Sequence, residues 1–338
     1  MSEPYEIHVG YDNLDALKPL ILRHHLGDSV FIISDDNVLA LYETIIKQAL
    51  NPLNVHIIRV APGEQSKSFE TYQSVISELI EKNIKRDDFI LAFGGGVVGD
   101  LAGFVASTLY RGIPYGQIPT TLLAQIDSSI GAKVAIDLKE GKNLVGAFYA
   151  PKFVFTDVKF LHTLAPRDLR SGQAEMIKAA LIGDETLLRN LESQKPLSTD
   201  MIQAAINVKK TLVYNDPLDK GMRMILNFGH TFGHAIEKAH NYETYTHGEA
   251  ISYGMVMALE IGLLKGVNDA SLYERVKQLL FDYHLIETPL LTRKSYAPYI
   301  KHDKKHLKDG IHFIALKAIE NPHIMTLQED DDLWTKPL

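Results

Sequence analysis

The chain contains no cysteine in its 338 residues. That excludes disulfides, thiolate metal sites, iron–sulfur clusters and cysteine nucleophiles, so any metal must be held by His, Asp, Glu or water. Positive charge is also in short supply: 35 Lys plus Arg stand against 42 Asp plus Glu, for a net charge of −7. A protein that tracks nucleic-acid phosphates needs a basic excess, so no nucleic-acid partner is expected. Long apolar runs are missing. The most membrane-like stretch, residues 90–109, is interrupted by Gly94, Gly95, Gly96, Gly99, Gly103 and Asp100. A membrane span needs ~20 mostly apolar residues, and a charge in mid-span is costly, so no membrane partner is expected either. The first residues, MSEPYEIHVG, carry neither a basic nor an apolar secretory region. A cytoplasmic location is therefore expected, which the lack of cysteine fits. What remains is a globular composition, 46% hydrophobic and 23% charged. The length suits two domains, since a domain runs to roughly 100–200 residues.

The two halves differ in texture. β-Rich apolar runs at residues 6–9, 29–34, 55–60, 89–93, 116–119 and 133–138 alternate with amphipathic stretches such as 39–50 and 69–81. In the second stretch Tyr72, Val75, Ile76, Leu79 and Ile80 share one face at helical spacing. Strand–helix alternation predicts an α/β domain with a mainly parallel, Rossmann-like sheet over residues 1–155. Beyond it, helical patterns dominate at 167–182, 199–213, 224–240, 248–265 and 270–284, with a strand signal only at 312–316. Residues 156–338 thus read as a mostly α-helical domain. The run 251–264 is apolar nearly all round and predicts its buried central helix. No internal repeat or low-complexity tract is visible.

Chemistry-bearing residues collect in short runs. FILAFGGGVVGDLAG, residues 89–103, reads strand, glycines, helix. Glycines let a pyrophosphate approach backbone N–H groups, and a helix N-terminus adds partial positive charge. The spacing is not G-x-G-x-x-G and follows the fourth strand, so a tight strand–helix turn without a ligand is the competing interpretation. Ser34-Asp35-Asp36-Asn37 ends the second strand, where a carboxylate suits either a ribose or a helix cap. Pro119-Thr120-Thr121 ends the fifth, with hydroxyls for phosphate or for capping.

The segment NFGHTFGHAIE, residues 227–237, places Asn227, His230 and His234 at i, i+3 and i+7, so they share one helix face. His230 and His234, four apart, are the pair that spacing alone selects as metal ligands. His247-Gly248-Glu249 is a second candidate, and Glu175 with Lys178, three apart on one helical face, is a third. Among 14 histidines some pairs at this spacing arise by chance, and polar residues satisfied within a helix interface are the bland alternative.

At these runs the chain resembles the 3-dehydroquinate synthase family. The likeness is carried in order by PGEQSKS at 62–68, GGGVVGDLAGFVASTLYRG at 94–112, IPTTLLAQIDSSIGAK at 118–133, KNLVGAFYAP at 142–151, SGQAEMIKAALI at 171–182, LNFGHTFGHAIE at 226–237 and HGEA at 247–250. The resemblance implies an NAD-binding domain followed by a metal-binding one, and a set of contacts that no spacing argument supplies. It implies the conversion of 3-deoxy-D-arabino-heptulosonate 7-phosphate to 3-dehydroquinate and phosphate by a carbon–oxygen lyase, as a homodimer, with NAD and a divalent metal, zinc first and cobalt second. It shifts the ligand set to Glu175, His230 and His247, with His234 facing substrate. It implies further substrate contacts at Arg111, Lys133, Asn143, Lys178, Lys209, Arg223, Asn227 and Lys304, with Lys305 as the neighbouring alternative. For NAD it implies Asp35, Asn37, Glu64, Lys67, Gly95, Gly96, Val97, Asp100, Thr120, Thr121, Asp127, Lys133, Lys142 and Thr163. Two runs depart from the family pattern: Gly131-Ala132-Lys133 replaces Gly-Gly-Lys, and Asp216-Pro217-Leu218-Asp219 replaces Asp-Glu-x-Glu. Rival activities on such a scaffold are another sugar-phosphate cyclase and a metal-dependent polyol dehydrogenase.

Overall fold

The computed structural model describes residues 5–24, 27–219, 221–300, 310–328 and 330–338. Lys304 and Lys305 lie outside them. The chain folds into two compact units, Met1–Leu164 and Ala165–Leu338.

The first unit runs β1 (Glu6–Gly10), α1 (Leu17–His24), β2 (Ser29–Asp35), α2 (Asp36–Leu50), β3 (Asn54–Val60), α3 (Phe69–Glu81), β4 (Phe89–Gly94), α4 (Gly96–Thr108), β5 (Tyr115–Pro119), β6 (Lys133–Leu138), β7 (Gly141–Phe148) and β8 (Phe153–Asp157). Six strands form one parallel sheet in the order β1-β8-β5-β4-β2-β3. Its inner strands β2, β4, β5 and β8 are buried almost throughout, without alternation, because both faces are covered. On β2, Val30 and Ile32 pack with Leu17, Leu20, Ile46 and Leu50 of α1 and α2. Phe31 and Ile33 point to the other face, with Val75 and Leu79 of α3 and Leu101 and Val105 of α4. The chain passes from β2 outward to β3, then returns across β2 to β4. That reversal lies between the carboxyl ends of β2 and β4, the place where open α/β sheets bind ligands.

The segment 133–138 is a strand, but it belongs to a separate antiparallel hairpin, β6–β7. The parallel sheet is instead completed by β8, which the sequence patterns did not signal. β8 is only five residues long, short enough to pass as a linker. β7 opens with Gly-Lys-Asn and leaves every second residue exposed, so it lacks the signature of a covered strand.

The second unit contains α5 (Pro166–Gly183), α6 (Glu185–Glu192), α7 (Thr199–Asn215), α8 (His230–Ala239), α9 (His247–Leu264), α10 (Ala270–Asp282), α11 (Arg293–Ile300) and the hairpin β9 (Ile311–Ala318) with β10 (Asn321–Leu327). The buried central helix is α9, as its composition predicts: Ile251, Met255, Ala258, Leu259 and Ile261 are all essentially inaccessible. α5, α8 and α10 pack around it. A capping box starts it, with Thr246 Oγ1 accepting from Glu249 N and the Glu249 carboxylate accepting from Thr246 N. Arg167 donates to both oxygens of that carboxylate and to the carbonyl of Thr244. Among the described residues, no helix is long and apolar enough to cross a membrane.

The continuous helix expected over 224–240 does not form. Residues Met222–Asn227 make a 3-10 turn, and Gly229 adopts a left-handed conformation at φ +81° before α8 begins at His230. Asn227 therefore does not share a helix with His230 and His234. The break has a packing cause. A Cβ on Gly254 of α9 would lie 1.9 Å from the Gly229 carbonyl oxygen, so two glycine backbones touch where α8 crosses α9.

Candidate active site

In the second unit three helices bring three side chains together. Glu175 lies in the middle of α5, His230 is the first residue of α8, and His247 is the first residue of α9. One ligand atom from each lies within 4.8 Å of the other two, and among the described residues this is the one such group of three. Glu175 Oε1 is 3.3 Å from His247 Nε2 and 3.4 Å from His230 Nε2. Two glycines allow the convergence. Gly248 sits against the backbone of Ser171 on α5, where a Cβ would approach to 2.4 Å, and its N–H donates to Ser171 Oγ. Gly254 seats α8 in the same way. The α5–α9 and α8–α9 distances, and with them the distances among the three ligands, follow from backbones that touch.

Each of the three side chains is also held at the atom that does not face the centre. Glu175 Oε2 takes the Lys178 ammonium at 2.5 Å, one turn along α5. His230 Nδ1 is 3.3 Å from the Phe228 carbonyl. His247 Nδ1 is 3.2 Å from Glu237 Oε1, a residue on α8 that sequence reasoning overlooked. The signal was available: Glu237 falls seven residues, two helical turns, after His230, and a metal-binding imidazole nearly always needs a partner for its second nitrogen.

The charges are strongly coupled. Burial works against the Glu175 carboxylate, but Lys178 and His247 outweigh it and bring its pKa down to about 2. Burial, together with Lys178, His247 and His234, holds His230 well below the usual imidazole value, so it is neutral. His247 is also opposed by burial, yet hydrogen bonds to Glu175 and Glu237 raise it to about 10. A carboxylate, a neutral imidazole and a second imidazole whose proton an ion can displace form a donor set suited to a divalent metal. Oxygen and nitrogen donors without sulfur suit zinc or cobalt.

His234, which spacing alone pairs with His230, lies beside this group without joining it. Its ring centroid is 5.3 Å from that of His230 and 6.3 Å from that of His247. The same unit also buries cations. Lys178 on α5, Lys209 on α7 and Arg223 in the 3-10 turn are all more than nine-tenths buried, and the three elements pack on one another. Asp216 shapes the loop before Arg223, accepting from the N–H groups of Gly221 and Arg223. Arg223 itself donates to the Pro217 carbonyl. Asn227 ends the same 3-10 turn.

In the first unit the glycine-rich turn lies at the carboxyl end of β4, beside the sheet's reversal. None of Gly94, Gly95 and Gly96 has a positive φ, so freedom of turn is not what requires them. Space is: a Cβ on Gly96 would meet Ser128 Oγ at 2.9 Å and one on Gly95 would meet Thr121 at 3.1 Å. The N-cap of α4 is Gly95, which offers no side-chain cap, whereas Asp35 caps α2 and Ser68 caps α3. The bare N-terminus of α4 can accept a phosphate. Asp35 spends one oxygen on the N–H of Val38, and Asn37 follows it in α2. Thr121 Oγ1 accepts from Ala124 N, Thr120 N donates to the Gly94 carbonyl, and Thr163 meets Tyr42 at 2.6 Å. Val97 follows Gly96 in α4, and Asp127 lies in the π-helical turn Ala124–Ser128.

Asp100 is not a helix cap. It receives the buried Lys67 ammonium at 2.8 Å, and the same ammonium reaches Asn143 Oδ1 at 2.5 Å. Glu64 stands 3.6 Å from both Lys67 and Lys142. Asp137, another residue that sequence reasoning passed over, ties the hairpin to this group. Its backbone N–H donates to the Lys67 carbonyl and its carboxylate accepts from Asn143 N. Lys133 opens the hairpin's first strand. Arg111 is exposed and ends a tight turn in which Tyr110 and Arg111 both have positive φ, 52° and 66°.

Solved structures with this architecture include 2-deoxy-scyllo-inosose synthase complexed with carbaglucose-6-phosphate, NAD+ and Co2+. It has a TM-score of 0.86 and 30% identity, covering 96% of this chain and 94% of that one. The 2-epi-5-epi-valiolone synthase of Streptomyces hygroscopicus, with NAD+ and Zn2+ bound, has a TM-score of 0.87 at 26% identity, covering 97% and 94%. An iron-containing alcohol dehydrogenase from Thermotoga maritima shares the fold alone, at TM-score 0.64 and 15% identity. Fold and ligand cluster thus define a protein of the sugar-phosphate cyclase class.

Within that class the sequence is more specific. The model of the 3-dehydroquinate synthase N-terminal region matches residues 57–171, and that of the C-terminal region matches 172–306. The 3-dehydroquinate synthase of Thermoanaerobacter pseudethanolicus is 38% identical, covering 97% of this chain and 96% of its own length. That of Clostridium perfringens strain SM101 is 47% identical, covering 80% and 79%. The chain belongs to the 3-dehydroquinate synthase family.

Proposed function

We propose that the chain converts 3-deoxy-D-arabino-heptulosonate 7-phosphate to 3-dehydroquinate and phosphate, the second step of the shikimate pathway. It acts as a phosphate-eliminating carbon–oxygen lyase, in the cytoplasm and as a homodimer. The observation that carries this reading is the convergence of Glu175 Oε1 with Nε2 of both His230 and His247, in a chain matched to the family over residues 57–306. Glu175, His230 and His247 hold a divalent metal, zinc or cobalt. NAD lies on the first unit, along Asp35, Asn37, Glu64, Lys67, the turn Gly95-Gly96-Val97, Asp100, Thr120, Thr121, Asp127, Lys133, Lys142 and Thr163.

Held by Glu175, His230 and His247, a metal would supply Lewis-acid polarisation of a substrate alcohol, and NAD on the first unit would supply hydride acceptance and return. The chain's own residues bind and orient. Lys178, Lys209 and Arg223 concentrate positive charge for a substrate that carries a carboxylate and a phosphate, although the protein as a whole is acidic. Arg223 suits a fork-like grip on one anionic group, and the lysines act as point charges. Asn227 and His234 donate to substrate hydroxyls, and His234 is placed beside the ligand imidazoles to do so. Lys133, Asn143, Arg111 and Lys304 complete the contacts. Lys178 has a second task, since its ammonium occupies Glu175 Oε2 and leaves Oε1 for the ion. The proton lost in the elimination passes to an oxygen of the departing phosphate, so no strong protein base is required.

The test is an incubation of pure protein with NAD, zinc and the heptulosonate phosphate. Phosphate should be released with no net NADH, and a chelator should abolish the release. Similarity to 2-deoxy-scyllo-inosose synthase favours a second reading, a cyclase for a different sugar phosphate. Turnover of glucose 6-phosphate in place of the heptulosonate would establish that reading. Net NADH from polyols would identify a dehydrogenase instead.

A further inference from the structure

Building on the metal site of the proposed function, we propose that Glu237 is a positioning residue: it fixes the His247 imidazole so that Nε2 faces the ion. The argument is geometric. His247 has two ring nitrogens, and only one can serve the centre. Nε2 lies 3.3 Å from Glu175 Oε1, while Nδ1 lies 3.2 Å from Glu237 Oε1. A carboxylate only accepts, so Nδ1 must carry a proton and donate it to Glu237. Nε2 faces the Glu175 carboxylate and gives up its own proton when an ion enters; because Nδ1 stays protonated on Glu237, the lone pair then offered to the metal is on Nε2.

His230 uses the same device with a weaker partner. Its Nδ1 faces the Phe228 carbonyl, which is neutral. The anionic partner makes the His247 ring the stronger donor of the two. Burial makes the arrangement consequential, because Glu237 is only 8% exposed and its carboxylate would be costly to hold there without hydrogen-bonded partners. The placement on α8 matters too. His230 begins that helix and Glu237 follows two turns later, so one rigid element supplies a ligand and also orients the ligand on α9.

The experiment compares wild type, Glu237→Gln and Glu237→Ala for zinc affinity by chelator competition and for the visible spectrum of the cobalt-substituted protein. Far-ultraviolet circular dichroism and NAD affinity report on the rest of the fold. Glutamine keeps the shape and an acceptor oxygen but removes the charge; alanine removes both. The expected order of affinity is wild type, then Gln, then Ala, with the alanine variant weaker by about 10- to 100-fold. The cobalt absorption should shift in both variants, while NAD affinity stays at the wild-type value. Equal zinc affinity and an unchanged cobalt spectrum in the isosteric Gln variant would overturn the proposal. A wild-type protein that binds no zinc would instead sink the metal reading on which it rests.

Discussion

Gly254→Ala tests the claim that touching helix backbones set the ligand distances. In an isolated helix this change would help, since alanine is favoured over glycine by about 1 kcal/mol. Here the added Cβ would lie 1.9 Å from the Gly229 carbonyl oxygen and 2.9 Å from Gly233 N. Real Cβ contacts essentially never fall below 3.0 Å, so α8 and α9 must separate by about 1.1 Å (3.0 minus 1.9) at the crossing. Both atoms are backbone, so the relief has to come from moving a helix. Overpacking of this kind costs about 1–3 kcal/mol and occasionally more. Because the overlap is with backbone and as deep as 1.9 Å, the upper part of that range applies, about 2–3 kcal/mol, and less the propensity gain of about 1 kcal/mol the net loss should be about 1–2 kcal/mol. For a unit of this size that is a fall in Tm of roughly 2–8 °C, at about 2–4 °C per kcal/mol. Because α8 carries His230 and α9 carries His247, zinc affinity should fall as well, by more than tenfold. Thermal unfolding of the metal-free protein and chelator competition for zinc are the measurements. A variant as stable as wild type, or more stable, with unchanged zinc affinity would refute the reasoning.

Three further outcomes follow from the same geometry. Glu175→Gln removes the carboxylate at the centre while keeping its shape, so zinc affinity should drop at least 100-fold with the fold intact by circular dichroism; unchanged affinity would remove Glu175 from the ligand set. In the metal-free protein His247 is raised to about 10, above the ordinary 6.5, so its charged form stabilises the fold fully below pH 6.5 and that contribution is lost as pH rises toward 10. Zinc must displace this proton, so about one proton should be released per ion at pH 7 and affinity should climb about tenfold per pH unit between 6 and 8; titration in buffers of different ionisation enthalpy counts the protons, and none released would contradict the assignment. Lys67→Met leaves the Asp100 carboxylate without its ammonium, at a cost of about 3 kcal/mol, the low end for a broken buried pair because Asp100 keeps a fifth of its side chain in water. Urea unfolding should show that loss alongside weaker NAD binding by calorimetry; wild-type values for both would place Lys67 outside the site.

Much of this protein was legible before any coordinates. Unbroken apolar runs at 29–34 and 89–93 could only be covered strands, and the all-round apolar 251–264 could only be a buried helix, because burial of such surface outweighs other local preferences. The ordered motifs sufficed to name the family and, through it, Glu175, His230 and His247. Local spacing went wrong at the same place, joining His230 to His234 and drawing one helix across Gly229. Period counting assumes a continuous helix, and it has no knowledge of a second backbone lying 1.9 Å from where a Cβ would stand. Glu237 and Asp137 escaped notice for a related reason. Each acts on a residue distant in the chain or across a turn, His247 in one case and Lys67 with Asn143 in the other.

The amino-acid order by itself determined most of the strands and helices, the absence of sulfur ligands, and the residue types able to hold an ion or an anionic substrate. Those properties depend on side-chain chemistry and short-range periodicity, both present in a one-dimensional string. Only the tertiary structure decided which nitrogen of His247 faces Glu175, which oxygen of Glu175 Lys178 occupies, and why Gly248 and Gly254 must be glycine. These are distances between elements far apart along the chain, and they come into being only when close-packed backbones leave one way for α5, α8 and α9 to meet.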